Sequence, residues 1–236
     1  MKKLRVDVWS DIACPWCYVG KRRLEAALAR FPHRDAVEVV WRAFELDPTA
    51  KRVVDADVSY AERLARKYGA PLAKAEGMIR HMTDVGAADG LSLRFDKVRP
   101  GNTFDAHRVL HLAAERGVQG AVKERLLRAY MTEGEAIGEP EVLVRLAGEA
   151  GLDPAEVHAA LAGDAYTREV RADEAEARAL GVTGVPFFVF AGRYGVSGAQ
   201  PAEPLLGVLQ QAWDEAADEP GEALAEGAAC GPEGCA

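Results

Sequence analysis

Leu4-Arg5-Val6-Asp7-Val8-Trp9 runs through Ser10-Asp11-Ile12-Ala13 into Cys14-Pro15-Trp16-Cys17, and this stretch decides the reading of the chain. The first six residues alternate apolar and polar, the period of a strand. Ser10 to Ala13 is a short loop. Pro15 suits the first position of a helix, where its missing N–H would have had no partner and its φ is already helical. The helix continues through Leu24, Ala27 and Leu28 toward Phe31-Pro32, and Val37-Glu38-Val39-Val40-Trp41 reads as a second strand. The result is a βαβ unit with a right-handed parallel crossover.

Beyond this unit the period changes. From about Val58 to Leu180 it is helical, divided by cap and stop signals. Asn102-Thr103 can cap a helix carrying Phe104, Leu110 and Ala113, while Val122, Leu126 and Tyr130 share one helical face. Asp153-Pro154-Ala155-Glu156 combines an N-cap, a proline at the first helical position and an acidic third residue; Gly151 and Gly181 suit C-terminal stops. Strand character returns in the continuous apolar run Val185 to Phe190, which suits burial on both faces. Ala191-Gly192 turns it into Arg193-Tyr194-Gly195-Val196 as a hairpin. Leu205, Leu209, Ala212 and Trp213 then mark a last amphipathic helix. No internal repeat is evident.

A cysteine at a helix start faces unpaired N–H groups and the positive end of the helix dipole, both of which favour thiolate over thiol. Cys14 is therefore the expected nucleophile. Cys17, three residues on, returns to the same side and is the expected resolving thiol, able to attack a mixed disulfide and release its substrate. Trp16 adds no cation between the two, so the couple is expected to be less oxidising than one with a histidine there. The competing reading of Cys-x-x-Cys is a zinc half-site, but no second close Cys or His pair follows at the usual spacing. Asp11, three residues before Cys14, is a candidate for proton transfer or for a capping role. His107 and His111 are four apart on a helix, a spacing open to a metal, yet no third ligand is indicated and a packed helical face is the simpler reading.

The chain has 236 residues, 49% of them apolar, ample for a core. It lacks an apolar run long enough for a transmembrane helix, and Arg5 and Asp7 interrupt any signal-peptide core after Met1-Lys2-Lys3. A cytoplasmic location is expected. The net charge of −8 is concentrated at the end: Asp214 to Ala236 holds seven acidic and no basic residues, leaving 29 basic and 30 acidic residues in the body. Neither part has the basic footprint of a nucleic-acid binder, and neither indicates a membrane partner. No Gly-x-Gly-x-x-Gly or Walker-type loop is present, so no cofactor is expected and electrons must pass through thiols.

Gly184-Val185-Pro186 opens the apolar run. Pro186 is compatible with an ordinary trans edge residue or with a cis bond that sets Val185 backbone groups beside Cys14, where an extended peptide could pair with them; the order of elements favours the second. Together these motifs resemble the DsbA family of thioredoxin-fold proteins. Trp9-Ser10-Asp11, Phe44-Glu45-Leu46-Asp47-Pro48 and Asn102-Thr103-Phe104-Asp105-Ala106-His107-Arg108 are similar to its FrnE branch. The resemblance implies an α/β thioredoxin fold interrupted by an all-helical insertion: residues 1–57 and 181–217 as the thioredoxin-like domain, 58–180 as the insertion, and 218–236 as an extended acidic tail. It also implies a cis Pro186 and protein disulfide oxidoreductase or isomerase activity, with Pro15, Trp16, Val185 and Pro186 tuning the thiols and binding substrate. The expected partners are disulfide-containing protein substrates and a thiol reductant, either a thioredoxin-type system or glutathione.

Kappa-class glutathione transferases and 2-hydroxychromene-2-carboxylate isomerases resemble the chain in element order, but they typically present a single Ser or Cys, and the retained dithiol points away from them. A glutathione-dependent transferase or isomerase of small molecules, and a redox-regulated peptide-binding chaperone, are the alternative functions. Cys230-Gly231-Pro232-Glu233-Gly234-Cys235 supplies a second pair, with Pro232 placed for a turn. The 17 steps from Trp213 to Cys230 can span on the order of 55 Å at ~3.3 Å per residue, enough to reach Cys14. FrnE-like proteins can carry such a C-terminal pair, which supports a second redox centre; a closed tail disulfide and a metal clip are the simpler readings.

Overall fold

The computed structural model describes residues 2–52 and 58–218. Cys230, Cys235 and the rest of 219–236 lie outside the described residues, as do 53–57.

The opening alternation forms β1 (Leu4–Ser10), followed by α1 (Pro15–Arg30) and β2 (Val37–Ala43). The helical stretch resolves into α2 (Tyr60–Tyr68), α3 (Leu72–Ala88), α4 (Phe104–Glu115), α5 (Gln119–Arg128), α6 (Pro140–Glu149), α7 (Pro154–Ala162) and α8 (Thr167–Ala179). The chain then returns through β3 (Phe187–Phe190), β4 (Tyr194–Ser197) and α9 (Ala202–Asp218). The sheet order is β2-β1-β3-β4, with β1 parallel to β2 and β3 antiparallel to both its neighbours. This is the thioredoxin arrangement expected from the resemblance, with α2 to α8 between its halves.

Alternation in the strands determines what covers the sheet. Val6 and Val8 on β1 and Phe188 and Phe190 on β3 share a core with Leu24 and Ala27 of α1 and Leu205 and Leu209 of α9. Trp9 and Val189 turn the other way and pack with Ala177 of α8. Both faces are covered, which is why β3 is apolar at every position. A separate helical core contains Leu110, Val122, Leu126 and Leu146, and it also takes in Ile12, Tyr18 and Val19. Helix α1 therefore belongs to two cores, and its N-terminal turn lies at the seam between them.

Local signals account for the element ends. Asn102 Oδ1 accepts the Phe104 N–H at 2.8 Å at the start of α4, and Asp153 Oδ1 accepts the Ala155 N–H at 2.8 Å at the start of α7. Glu156 does not turn back to the cap; it pairs with Arg116 at 2.9 Å. Tyr130, expected on the face of α5, falls in a single π turn, Ala129–Glu133. The hairpin turn has positive φ at both Ala191 (52°) and Gly192 (67°), and the Arg193 N–H donates to the Phe190 carbonyl at 3.0 Å. These are the hallmarks of a turn whose twist matches that of its strands. Strand β3 starts two residues later than the apolar run, because Pro186 has no N–H and the Val185 carbonyl faces Cys14 instead of a neighbouring strand.

Candidate active site

The β1–α1 loop delivers Cys14 to the N-cap of α1, with Pro15 next as the first helical residue. The Cys17 N–H donates to the Cys14 carbonyl at 3.1 Å, which closes the first turn and brings Cys17 back beneath Cys14. Both cysteines are free thiols; Cys14 is 4% exposed and Cys17 fully enclosed. Cys14 Sγ donates to the Val185 carbonyl at 3.5 Å, across a sequence separation of 171 residues. The Val185–Pro186 bond is cis.

Gly20, one turn further along α1, permits this approach. A Cβ at Gly20 would stand 2.8 Å from Pro186 Cγ and 3.3 Å from Phe188 Cζ, and neither ring is a flexible chain end. Gly and Val differ little in helix propensity, so overpacking decides the outcome. Gly20→Val is expected to cost about 2–3 kcal/mol in chemical denaturation and to slow alkylation-competing thiol exchange at Cys14.

Behind the sulfurs lies a shell of buried polar groups. Asp11 Oδ2 accepts the Leu46 N–H at 2.8 Å, while Oδ1 faces the Ala13 N–H and His107 Nε2, each at 3.4 Å. Burial alone would raise the Asp11 carboxyl, but His107, the Leu46 N–H and Thr103 outweigh it and hold the group below the usual carboxylate range. Burial, then the adjacent Cys14, push the Cys17 thiol well up; Lys123 and the Asp11 backbone only partly oppose them. Lys123, on α5, is fully enclosed, donates to the Ser10 carbonyl at 3.5 Å and is lowered by burial to about 8. Neither Lys123 nor the Asp11–His107 contact is apparent from local sequence. The available signal for Lys123 is periodic: it shares the buried face of Gln119, Leu126 and Leu127 despite lying in the charged run Lys123-Glu124-Arg125.

The insertion roofs the site. Trp16 is half-buried against the helical core, with its ring 6.1 Å from that of His81 on α3. Tyr60 of α2 packs on Phe95 at 4.9 Å, and its hydroxyl is pushed up by burial and then by the charge of Cys14. Glu124 of α5 fastens the roof to α1, accepting from the Tyr18 hydroxyl at 2.8 Å and Lys21 Nζ at 2.6 Å, and from Arg22. Burial would raise Glu124, yet Arg22 and Lys21 pull it down to about 2.

The sequence profile of the DSBA-like thioredoxin domain matches residues 5–210. The chain belongs to that family. Among solved structures, it is similar to a probable DsbA oxidoreductase from Streptomyces coelicolor, with 49% identity, a TM-score of 0.86 and coverage of 99% of this chain and 98% of that one. It is also similar to the cytosolic disulfide reductase DsbM from Pseudomonas aeruginosa with GSH, at 19% identity, a TM-score of 0.63 and coverage of 89% and 99%; at that identity the likeness is one of fold. The uncharacterized protein YwbO of Bacillus subtilis is 29% identical over 191 residues, 79% of this chain and 86% of its own.

In this DSBA-like thioredoxin domain protein the three motifs singled out in the sequence converge behind the dithiol. Asp11 of the first meets Leu46 of the second and His107 of the third. Glu45 accepts from Asn102 Nδ2 at 3.1 Å and from Arg171 at 2.6 Å, while Arg108 donates to Asp105 at 2.8 Å. The two histidines part company: His107 faces Asp11, whereas His111 Nε2 lies 2.9 Å from Asp173 Oδ2. Among the described residues no group of three or more His, Cys, Asp or Glu is placed to hold a metal ion, and no helix is long and apolar enough to cross a membrane.

Proposed function

We propose that the protein is a thiol–disulfide oxidoreductase with protein disulfide isomerase activity, in which Cys14 attacks a substrate disulfide and Cys17 resolves the mixed intermediate. The observation that supports this most directly is the free Cys14 thiol at the N-cap, 3.5 Å from the Val185 carbonyl, with Cys17 one turn on. Attack forms a Cys14–substrate disulfide and releases one substrate thiolate; attack by Cys17 then forms Cys14–Cys17 and releases the other. Val185 backbone groups would pair with an extended substrate, Pro186 would hold them at the sulfur, and Pro15 and Trp16 would tune the couple. Asp11 is assigned chiefly to positioning the loop, since its carboxylate already accepts from the Leu46 N–H.

A cytoplasmic address and a FrnE-type place in the family remain part of this reading. There, the surrounding thiol pool favours reduction and isomerisation over net oxidation. Disulfide-containing proteins are the proposed substrates, and glutathione or a thioredoxin-type system the reductant. The test is insulin reduction and refolding of a scrambled disulfide substrate by the wild-type protein. Turnover in both supports the reading; absence of both, with glutathione conjugation of a small electrophile in their place, overturns it in favour of a transferase.

Cys230 and Cys235 are proposed as a second redox pair exchanging with the first. The Cys230→Ser, Cys235→Ser double variant is expected to lower isomerase turnover several-fold while leaving single-turnover attack by Cys14 intact. Unchanged reductase and isomerase rates would sink the two-centre idea.

A further inference from the structure

Glu45 and Glu174 meet on one cation. Arg171 Nη1 donates to Glu45 Oε2 at 2.6 Å and to Glu174 Oε2 at 2.7 Å, so a single nitrogen holds an oxygen of each carboxylate. Both side chains are withdrawn from water, Glu45 to 1% and Glu174 to 11% exposure. Among the described residues no other Lys, Arg or His pairs with either. Asn102 Nδ2 donates to the remaining oxygen of Glu45 at 3.1 Å, a neutral contact. Two negative charges therefore stand against one positive charge where water screens poorly. A proton on one carboxyl removes the imbalance and lets that carboxyl donate to the other.

Three parts of the chain come together at this cluster. Glu45 lies just beyond β2, Arg171 and Glu174 are one turn apart on α8, and the Arg171 guanidinium stands 4.3 Å from the centre of the Phe104 ring that opens α4. The charged groups around it are committed elsewhere: Arg108 and Arg52 to Asp105 of α4, and Arg42 of β2 to Asp173 of α8 and to Asp7. Asp11 of the β1–α1 loop accepts the N–H of Leu46, the residue after Glu45.

We propose that Glu45 and Glu174 form a pH-sensitive latch: sharing one proton, they clamp the segment after β2 to α8, and full ionisation of the pair slackens the clamp. Burial raises the Glu45 carboxyl above its usual 4.5 and Glu174 adds to the rise, against the pull of Arg171. The proton belongs to the pair and not to one residue. As pH rises, the unfolded chain gives up its proton first. The latch therefore contributes fully below 4.5, and its contribution is lost as pH climbs through the higher folded value. Asp173, the residue before Glu174, answers in the opposite sense, because Arg42 and the Ala43 N–H hold it as the carboxylate. Two adjacent side chains thus fasten α8 to the end of β2, and on acidification one joint tightens before the other weakens. Through Leu46 and Asp11 the latch also bears on the loop that carries Cys14.

The experiment is urea unfolding of full-length wild type, E45Q and E174Q across the acid and neutral range. Glutamine has the shape of a protonated glutamate and keeps an oxygen for Arg171 and N–H donors for its neighbour at every pH. Groups elsewhere titrate alike in the three proteins and cancel in the comparison. From about pH 4 to about pH 8, the folded-to-unfolded ratio of each variant relative to wild type is expected to rise several-fold. The double variant is expected to gain no more than either single one, since one substitution already removes the repulsion. A relative ratio that is flat with pH or falls as pH rises overturns the latch, as does failure of both variants to fold; if one fails, the other decides. Hydrogen exchange supplies a local readout. At about pH 8 the Leu46 amide is expected to open several-fold more often in wild type than in E174Q, with no difference at about pH 4. Equal protection at both ends of the range overturns the latch even if global stabilities differ.

Discussion

In protein carrying Cys230→Ser and Cys235→Ser, so that the proposed second pair cannot substitute, Cys14→Ser is expected to lower disulfide reductase turnover by at least about 10³-fold, to the level of uncatalysed exchange, while leaving the fold in place. A serine hydroxyl is no nucleophile toward a disulfide at neutral pH, and the only other thiol in the described structure, Cys17, is fully enclosed. Cys17→Ser has a different signature. Cys14 still attacks, but the mixed disulfide has no internal thiol beneath it and persists until an outside thiol arrives. Non-reducing electrophoresis should show trapped adducts with Cys17→Ser and none with Cys14→Ser. Turnover that survives loss of Cys14 refutes the assigned chemistry.

The second large effect concerns stability and lies away from the sulfurs. Asp173 on α8 is almost wholly buried and accepts from the Ala43 N–H at 2.8 Å, from Arg42 Nη1 at 2.8 Å and from His111 Nε2 at 2.9 Å. It fastens the helical insertion to the outer strand β2, and the Trp9 indole N–H donates to its main-chain carbonyl at 2.9 Å. Removing one partner of a buried pair costs roughly 3–5 kcal/mol. Arg42 also holds Asp7 at 2.8 Å, so it is not left unpaired, and the lower end applies: Asp173→Ala is expected to destabilise by about 3 kcal/mol in urea. Burial would raise the Asp173 carboxyl, but His111, the Ala43 N–H and Arg42 lower it below its usual 3.8. The unfolded chain therefore binds the proton first as pH falls. The stabilisation is complete above that value and is lost as pH drops through the lower folded one. The gap between wild type and variant should be widest near neutrality and close at acid pH; a gap that widens on acidification contradicts the assignment.

What could be read from the sequence was what local periodicity carries. The strand before Cys14, the Pro15 helix start, the two-sided burial of Phe187 to Phe190 and the Asp153 cap each depend on neighbours within a few positions. The groups behind the dithiol depend on the insertion's return path instead. Lys123 reaches Ser10 across 113 residues, and His107 reaches Asp11 from another helix. In the sequence, Lys123 stands among charges like any solvated helical residue, and His107 and His111 look like a pair until the fold gives each its own carboxylate. Even the isomer at Pro186 had no local signature, since either form can open a strand.

The long separation between Cys14 and Val185 also has a consequence for synthesis. At roughly 5–20 residues per second, a ribosome takes about 9–34 s to make the 171 residues that divide them. During that interval Cys14 and Cys17 stand on the nascent chain with no β3 to pair with β1 and no Val185 carbonyl to meet the sulfur. The Cys14–Cys17 pair is made well before its shelter, so each newborn copy passes through a period as a client of the thiol exchange proposed for it.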